Sequence, residues 1–129
     1  MLHSNQFEVN EAWIMFRLSD EPVHTEQDGN FHFFALMDAA SCFMLASTSL
    51  PVEQEELTAQ ESKRLLKEGQ AHLKRWPKTL FTIKEQPARL LSAEAGKLGI
   101  SAVEIEETQL LPIISEAKNG FKKWFGQGA

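Results

Sequence analysis

Residues Phe31 to Leu50, FHFFALMDAASCFMLASTSL, constrain the fold more than any other stretch of the chain. Two apolar runs rich in aromatic and long aliphatic side chains flank the break Asp38-Ala39-Ala40-Ser41. That pattern reads as a β-hairpin with an acidic residue at its tip. A long helix and two strand-helix units follow it, so an α/β architecture is expected from this point on.

At 129 residues the chain has the length of one domain spanning 1–129. A chain of this size hides roughly two thirds of the surface its unfolded form exposes. Apolar residues make up 43% and charged residues 24%, an ordinary globular balance that excludes disordered and collagenous classes. The single Cys42 cannot form an internal disulfide, and within a strand pattern it reads as a small buried apolar residue in a reducing compartment. The N-terminus carries no basic segment followed by an apolar core, and no window approaches the roughly 18 apolar residues of a membrane span. The expectation is a soluble cytoplasmic protein.

Residues 11–18 alternate Ala12, Ile14, Phe16 and Leu18 with Trp13, Met15 and Arg17, the period of a strand with one well-buried face. Residues 19–30 are polar, contain Pro22 and the Asp28-Gly29-Asn30 turn signal, and read as a loop. Phe31 to Met37 and Cys42 to Ser49 are the second and third strands of an antiparallel meander, closed by Pro51. From Val52 to Trp76 the period becomes helical, with Thr58 and Glu61 at capping-box spacing so that regular helix starts there. Thr79 to Lys84 is a β-branched interior strand between two prolines. Pro87 suits the first turn of a helix that runs to about Leu98 and closes on Gly99, and Ile100 to Ile105 alternates as a fifth strand. From about Thr108 a last helix places Leu110, Ile113, Ile114, Ala117, Phe121 and Phe125 along one side.

The resulting order is β-β-β-α-β-α-β-α around a mixed five-stranded sheet with helices on its faces. FALMDAASCFMLASTSL, PKTLFTIKEQ, AGKLGISAVEIE and Glu116-Ala-Lys118, between Trp13 and Phe125, together resemble the ribonuclease H-like catalytic cores of integrases and transposases. In active members of that superfamily, carboxylates from the first strand, the end of the fourth and a helix hold two divalent metals that stabilise the attacking and leaving oxygens. The resemblance therefore implies magnesium or manganese held by Asp20 or Asp38, Glu85 and Glu116 if the chain is active. The first strand, Trp13-Ile14-Met15-Phe16-Arg17, offers no acid at its centre and a basic residue instead. The reading that follows is a non-catalytic relative, without cofactor, that acts through protein contact. Asp38 reads as a turn residue bonding its own backbone.

Other chemistry is weaker. His3, His24, His32 and His72 have no metal-ligand spacing, and one cysteine excludes a thiolate-rich zinc site. A net charge of −5 argues against a phosphate-holding surface, although Lys63, Lys67, Lys74, Arg75, Trp76 and Lys78 concentrate in one third of the chain. Acids ahead of bases on one helix also complement its macrodipole, which explains the clustering without nucleic acid. Phe121, Trp124 and Phe125, interleaved with Lys118, Lys122 and Lys123, are candidates for a partner contact or for self-association.

Overall fold

Strand β1 (Ala12–Arg17) forms the centre of the sheet and, where its alternation suggested one well-buried face, both of its faces are covered, each by its own core. The computed structural model describes residues 1–27 and 29–127, with side chains described through residue 123. Within the expected loop 19–30 lies a short strand, β2 (Val23–Thr25), which turns back into β3 (Gly29–Asp38). Gly29 makes that turn with φ +84°, a conformation open to glycine at no steric cost. The sheet thus has six strands where five were expected; the extra pairing was masked by the polarity and Pro22 of its sequence.

Strand β4 (Met44–Pro51) pairs antiparallel with β3 and begins two residues later than the sequence suggests. Cys42 is in the turn with φ +59° and is exposed, so the expectation of a buried strand cysteine fails. Helix α1 (Ala59–Leu73) starts at the expected capping box, in which Glu61 N–H donates to Thr58 Oγ1 and Thr58 N–H donates to Glu61 Oε1. Strand β5 (Thr79–Ile83) joins β1 in parallel, helix α2 (Arg89–Lys97) follows, and strand β6 (Ser101–Ile105) joins β5 in parallel. Pro87 lies just before α2 instead of within its first turn, and Gly99 ends the helix with φ +80°. The last element is helix α3 (Glu107–Gln127).

Phe31 pairs with Val23 of β2 and with Pro51 of β4, so those strands flank β3 on opposite sides. The order across the sheet is β4-β3-β1-β5-β6, with β2 beside the start of β3. On one face Trp13, Met15, Leu36 and Leu80 pack beneath Leu65 and Leu66 of α1 and Leu91 and Ala95 of α2. On the other, Ile14, Phe16, Ala35, Met37 and Ile83 pack beneath Leu110, Ile113 and Ile114 of α3, helped by Leu2 and Phe7 of the N-terminal segment. Gly69 lets α1 approach closely, since a Cβ there would stand 3.0 Å from both Leu36 Cδ2 and Trp13 Cζ3. Among the described residues no helix is long and apolar enough to cross a membrane.

Candidate functional site

The C-terminal ends of β1 and β5 lie side by side, because the two strands are parallel neighbours. Several polar groups gather there. Arg17 N–H donates to Gln86 Oε1 at 2.8 Å, and the Gln86 amide reaches Glu107 Oε2 at 3.5 Å. Lys118 Nζ is 2.6 Å from Asp20 Oδ1 and 3.3 Å from Glu107 Oε2. Its side chain is 12% exposed, against 68% for Asp20, so the ammonium is the buried member of the cluster. The hydrogen bond from Lys118, reinforced by the charges of Lys118, Lys122 and Arg17, holds the Asp20 carboxyl below its ordinary range against the opposing effect of burial.

Glu107 and Lys118 belong to one helix, eleven residues apart. In a straight helix their Cα atoms would be roughly 16 Å apart, beyond what the two side chains span. Lys118 nevertheless reaches Glu107 Oε2, and Pro112, which removes a backbone donor, lies between them in the helix.

At the opposite end of β1 a second polar knot closes the β3–β4 hairpin. Asp38 is fully buried and accepts from Asn10 N–H at 2.7 Å, Ser41 N–H at 2.9 Å and the Ser41 hydroxyl at 2.7 Å. This is the Asx-type turn its position suggested. Asn10, in the left-handed region at φ +68°, accepts from Trp13 Nε1 at 2.7 Å and donates to Arg75 O at 3.1 Å. Cys42 sits beside this knot. Although the residue as a whole is exposed, its sulfur lies against Ile113 O at 3.9 Å, and this partial desolvation first, then the charges of Glu116 and Asp38, push its thiol pKa upward.

The structure thus splits the acids that the resemblance implied as ligands. Asp20 pairs with Lys118, whereas Asp38 lies at the opposite end of β1, beside Trp13, and Glu116 and Asp38 both act on the charge of Cys42. Glu85 is exposed just past β5, and the interior of β1 carries only apolar side chains. Among the described residues no three His, Cys, Asp or Glu side chains converge on a point that could hold an ion. The residues present do not fit a two-metal centre: the two acids that do approach each other, Asp20 and Glu107, already share an ammonium.

The basic residues fall into two groups, with Lys63 and Lys67 around an open depression on α1 and Lys74 and Lys78 at and beyond the end of that helix. Lys63 pairs with Glu94 of α2 at 3.8 Å, while Lys67 is exposed on α1. Lys74 caps α1 with φ +64°, and Lys78 is tied through its backbone to Glu11. Trp76 leans on Trp13, with ring centroids 6.2 Å apart, which commits much of its surface to the core. Phe121 packs on Phe33 at 5.5 Å. The side chains of Trp124 and Phe125 lie outside the described residues.

Sequence reasoning passed over Lys118, Glu107 and Gln86 as a unit, and it missed His32. His32 Nδ1 and Arg17 Nε are both buried without a partner among the described residues. Burial, then the charge of Arg17, lowers the His32 pKa from its ordinary value of 6.5. The one signal for the Lys118 cluster was the proline between two opposite charges on an otherwise continuous helix.

No protein-family model matches the chain, and no curated protein matches it. Among solved structures it is similar to a chain of the cryoEM structure of the simian T-cell lymphotropic virus intasome in complex with PP2A regulatory subunit B56 gamma. The two share a TM-score of 0.59 and 16% identity over 88% of this chain, which spans 38% of that one. At this identity the likeness concerns the fold, and the mixed sheet described above is consistent with a ribonuclease H-like arrangement.

Proposed function

We propose that this chain is a non-catalytic ribonuclease H-like domain that acts through protein contact. One observation supports the reading: Asp20, one of the acids the resemblance implied as a ligand, is paired together with Glu107 to the largely buried Lys118 ammonium. A divalent ion stabilises charge between carboxylates, and here a fixed cation already occupies that role. To admit a metal, Lys118 would have to leave two partners and be rehoused as a charge elsewhere. Arg17, at the end of the strand that should present the first ligand, adds positive charge to the same neighbourhood.

Calorimetric titration with manganese tests this. Wild type is expected to show no saturable binding, whereas Lys118→Ala frees Asp20 and Glu107 and gains weak binding. Saturable manganese binding by wild type, together with DNA cleavage lost in Asp20→Asn, would overturn the proposal in favour of a divergent nuclease.

A further inference from the structure

Strand β6 is the exposed margin of the sheet. Ser101, Ala102, Val103 and Glu104 are all exposed and Ile105 is half-buried, so neither face of this strand is fully covered. Val103 alone leaves 37% of its surface in water. The opposite margin differs: β4 buries Leu45, Ala46 and Leu50, its pairing is irregular near Leu36 and Met37, and it ends in Pro51, which has no donor. Irregularity and proline are the usual devices that blunt an edge. β6 has neither.

The hydrogen bonds fix which groups of β6 look outward. Ser101 N–H donates to Lys78 O at 2.9 Å, and Ile105 O accepts from Lys84 N–H at 3.0 Å, both on the β5 side. Alternation then turns the N–H and C=O groups of Ala102 and Glu104 away from the sheet. Among the described residues nothing bonds to them.

We infer that β6 pairs antiparallel with β6 of a second copy of this chain, about a two-fold axis through Val103, joining two sheets into one. This deepens the protein-contact reading and rests on it. The register follows from charge. Centred on Val103, each Ala102 faces Glu104 of the second copy, and these outward-facing residues exchange about four backbone bonds in all. The two Val103 side chains then meet as a close non-bonded pair, covering the half-exposed apolar spot. Centring on Glu104 would oppose two like charges, and centring on Ala102 would call on Ile100, whose N–H already donates to Ala95 O at 3.0 Å. Five residues of edge make a contact below the usual area of a permanent dimer, so the association is concentration-dependent.

Sedimentation equilibrium on the full chain tests the inference. Wild type is expected to move from monomer to dimer with rising concentration. Ala102→Glu sets two pairs of glutamates face to face and should raise the dissociation constant by about tenfold or more. Ala102→Glu with Glu104→Lys should restore pairing through opposite charges, while circular dichroism stays unchanged in both. A monomer at every concentration, or Ala102→Glu dimerising as wild type does, overturns it. Dimerisation lost in Trp124→Ala but kept in Ala102→Glu would also overturn it, yet leave protein contact standing; manganese binding would sink the broader reading instead.

Discussion

Replacing Asp38 by asparagine or alanine asks whether this acid holds the hairpin or is held ready for a ligand. Its carboxyl group is fully buried and accepts three hydrogen bonds. Ser41 is exposed, so its hydroxyl and N–H find water in the variant at small cost. Asn10 N–H is buried and would be left unpaired, which costs about 1–3 kcal/mol. Losing the turn bonds adds roughly 0.5–1.5 kcal/mol, for a total of about 2–4 kcal/mol. Asparagine keeps one acceptor but turns an amide donor toward a second donor, so Asp38→Asn should fall near the same figure. Against the 5–15 kcal/mol of an ordinary domain this is a large fraction, equivalent to a melting point lower by roughly 10 °C. Urea denaturation of both variants, followed by tryptophan fluorescence, reads it directly, since Trp13 is bonded into the same knot through Asn10. An acid kept for a ligand behaves in the opposite way, because removing it relieves a strained site and stabilises the unliganded protein. Stability equal to or above wild type in Asp38→Asn would refute the assignment of a structural role.

Two further outcomes follow from packing and titration. Gly69→Ala gains about 1 kcal/mol of helix propensity, but the new methyl stands 3.0 Å from Trp13 and Leu36, which are fully buried and cannot retreat. Overpacking of about 1–3 kcal/mol should win, giving a net loss in thermal or urea unfolding; a more stable alanine variant would show that α1 can lift away. His32 is expected to make the fold acid-sensitive. Its folded-state pKa lies below the unfolded 6.5, so its contribution is fully present above that value and is lost as pH falls through the depressed one. Urea unfolding of wild type and His32→Phe between about pH 7.5 and about pH 5 should show the steeper decline in wild type. Equal slopes would remove His32 as the cause.

The alternation of residues 11–18, the hairpin break at Asp38 and the capping box at Thr58 were legible because each is a local rule. A period of two, an Asx turn and an N-cap are satisfied within a few residues, so the pattern and the structure agree. Strand β2 was illegible for the converse reason: three residues of a polar segment, none of them buried, pair only because β3 extends beyond the core to meet them. Cys42 looked buried by continuity with apolar neighbours, yet the turn needs a positive φ there and carries it into solvent.

The candidate site depends on tertiary arrangement alone. Asp20, Glu107 and Lys118 come from the loop after β1 and from two separate turns of α3, and no spacing rule joins them. What decides the charge balance there is Lys118, because its ammonium serves both carboxylates at once. Without that ammonium Asp20 and Glu107 would face each other as two unpaired carboxylates beyond the end of β1, so Lys118→Ala is the substitution that separates an ionic contact from a cation-binding pair.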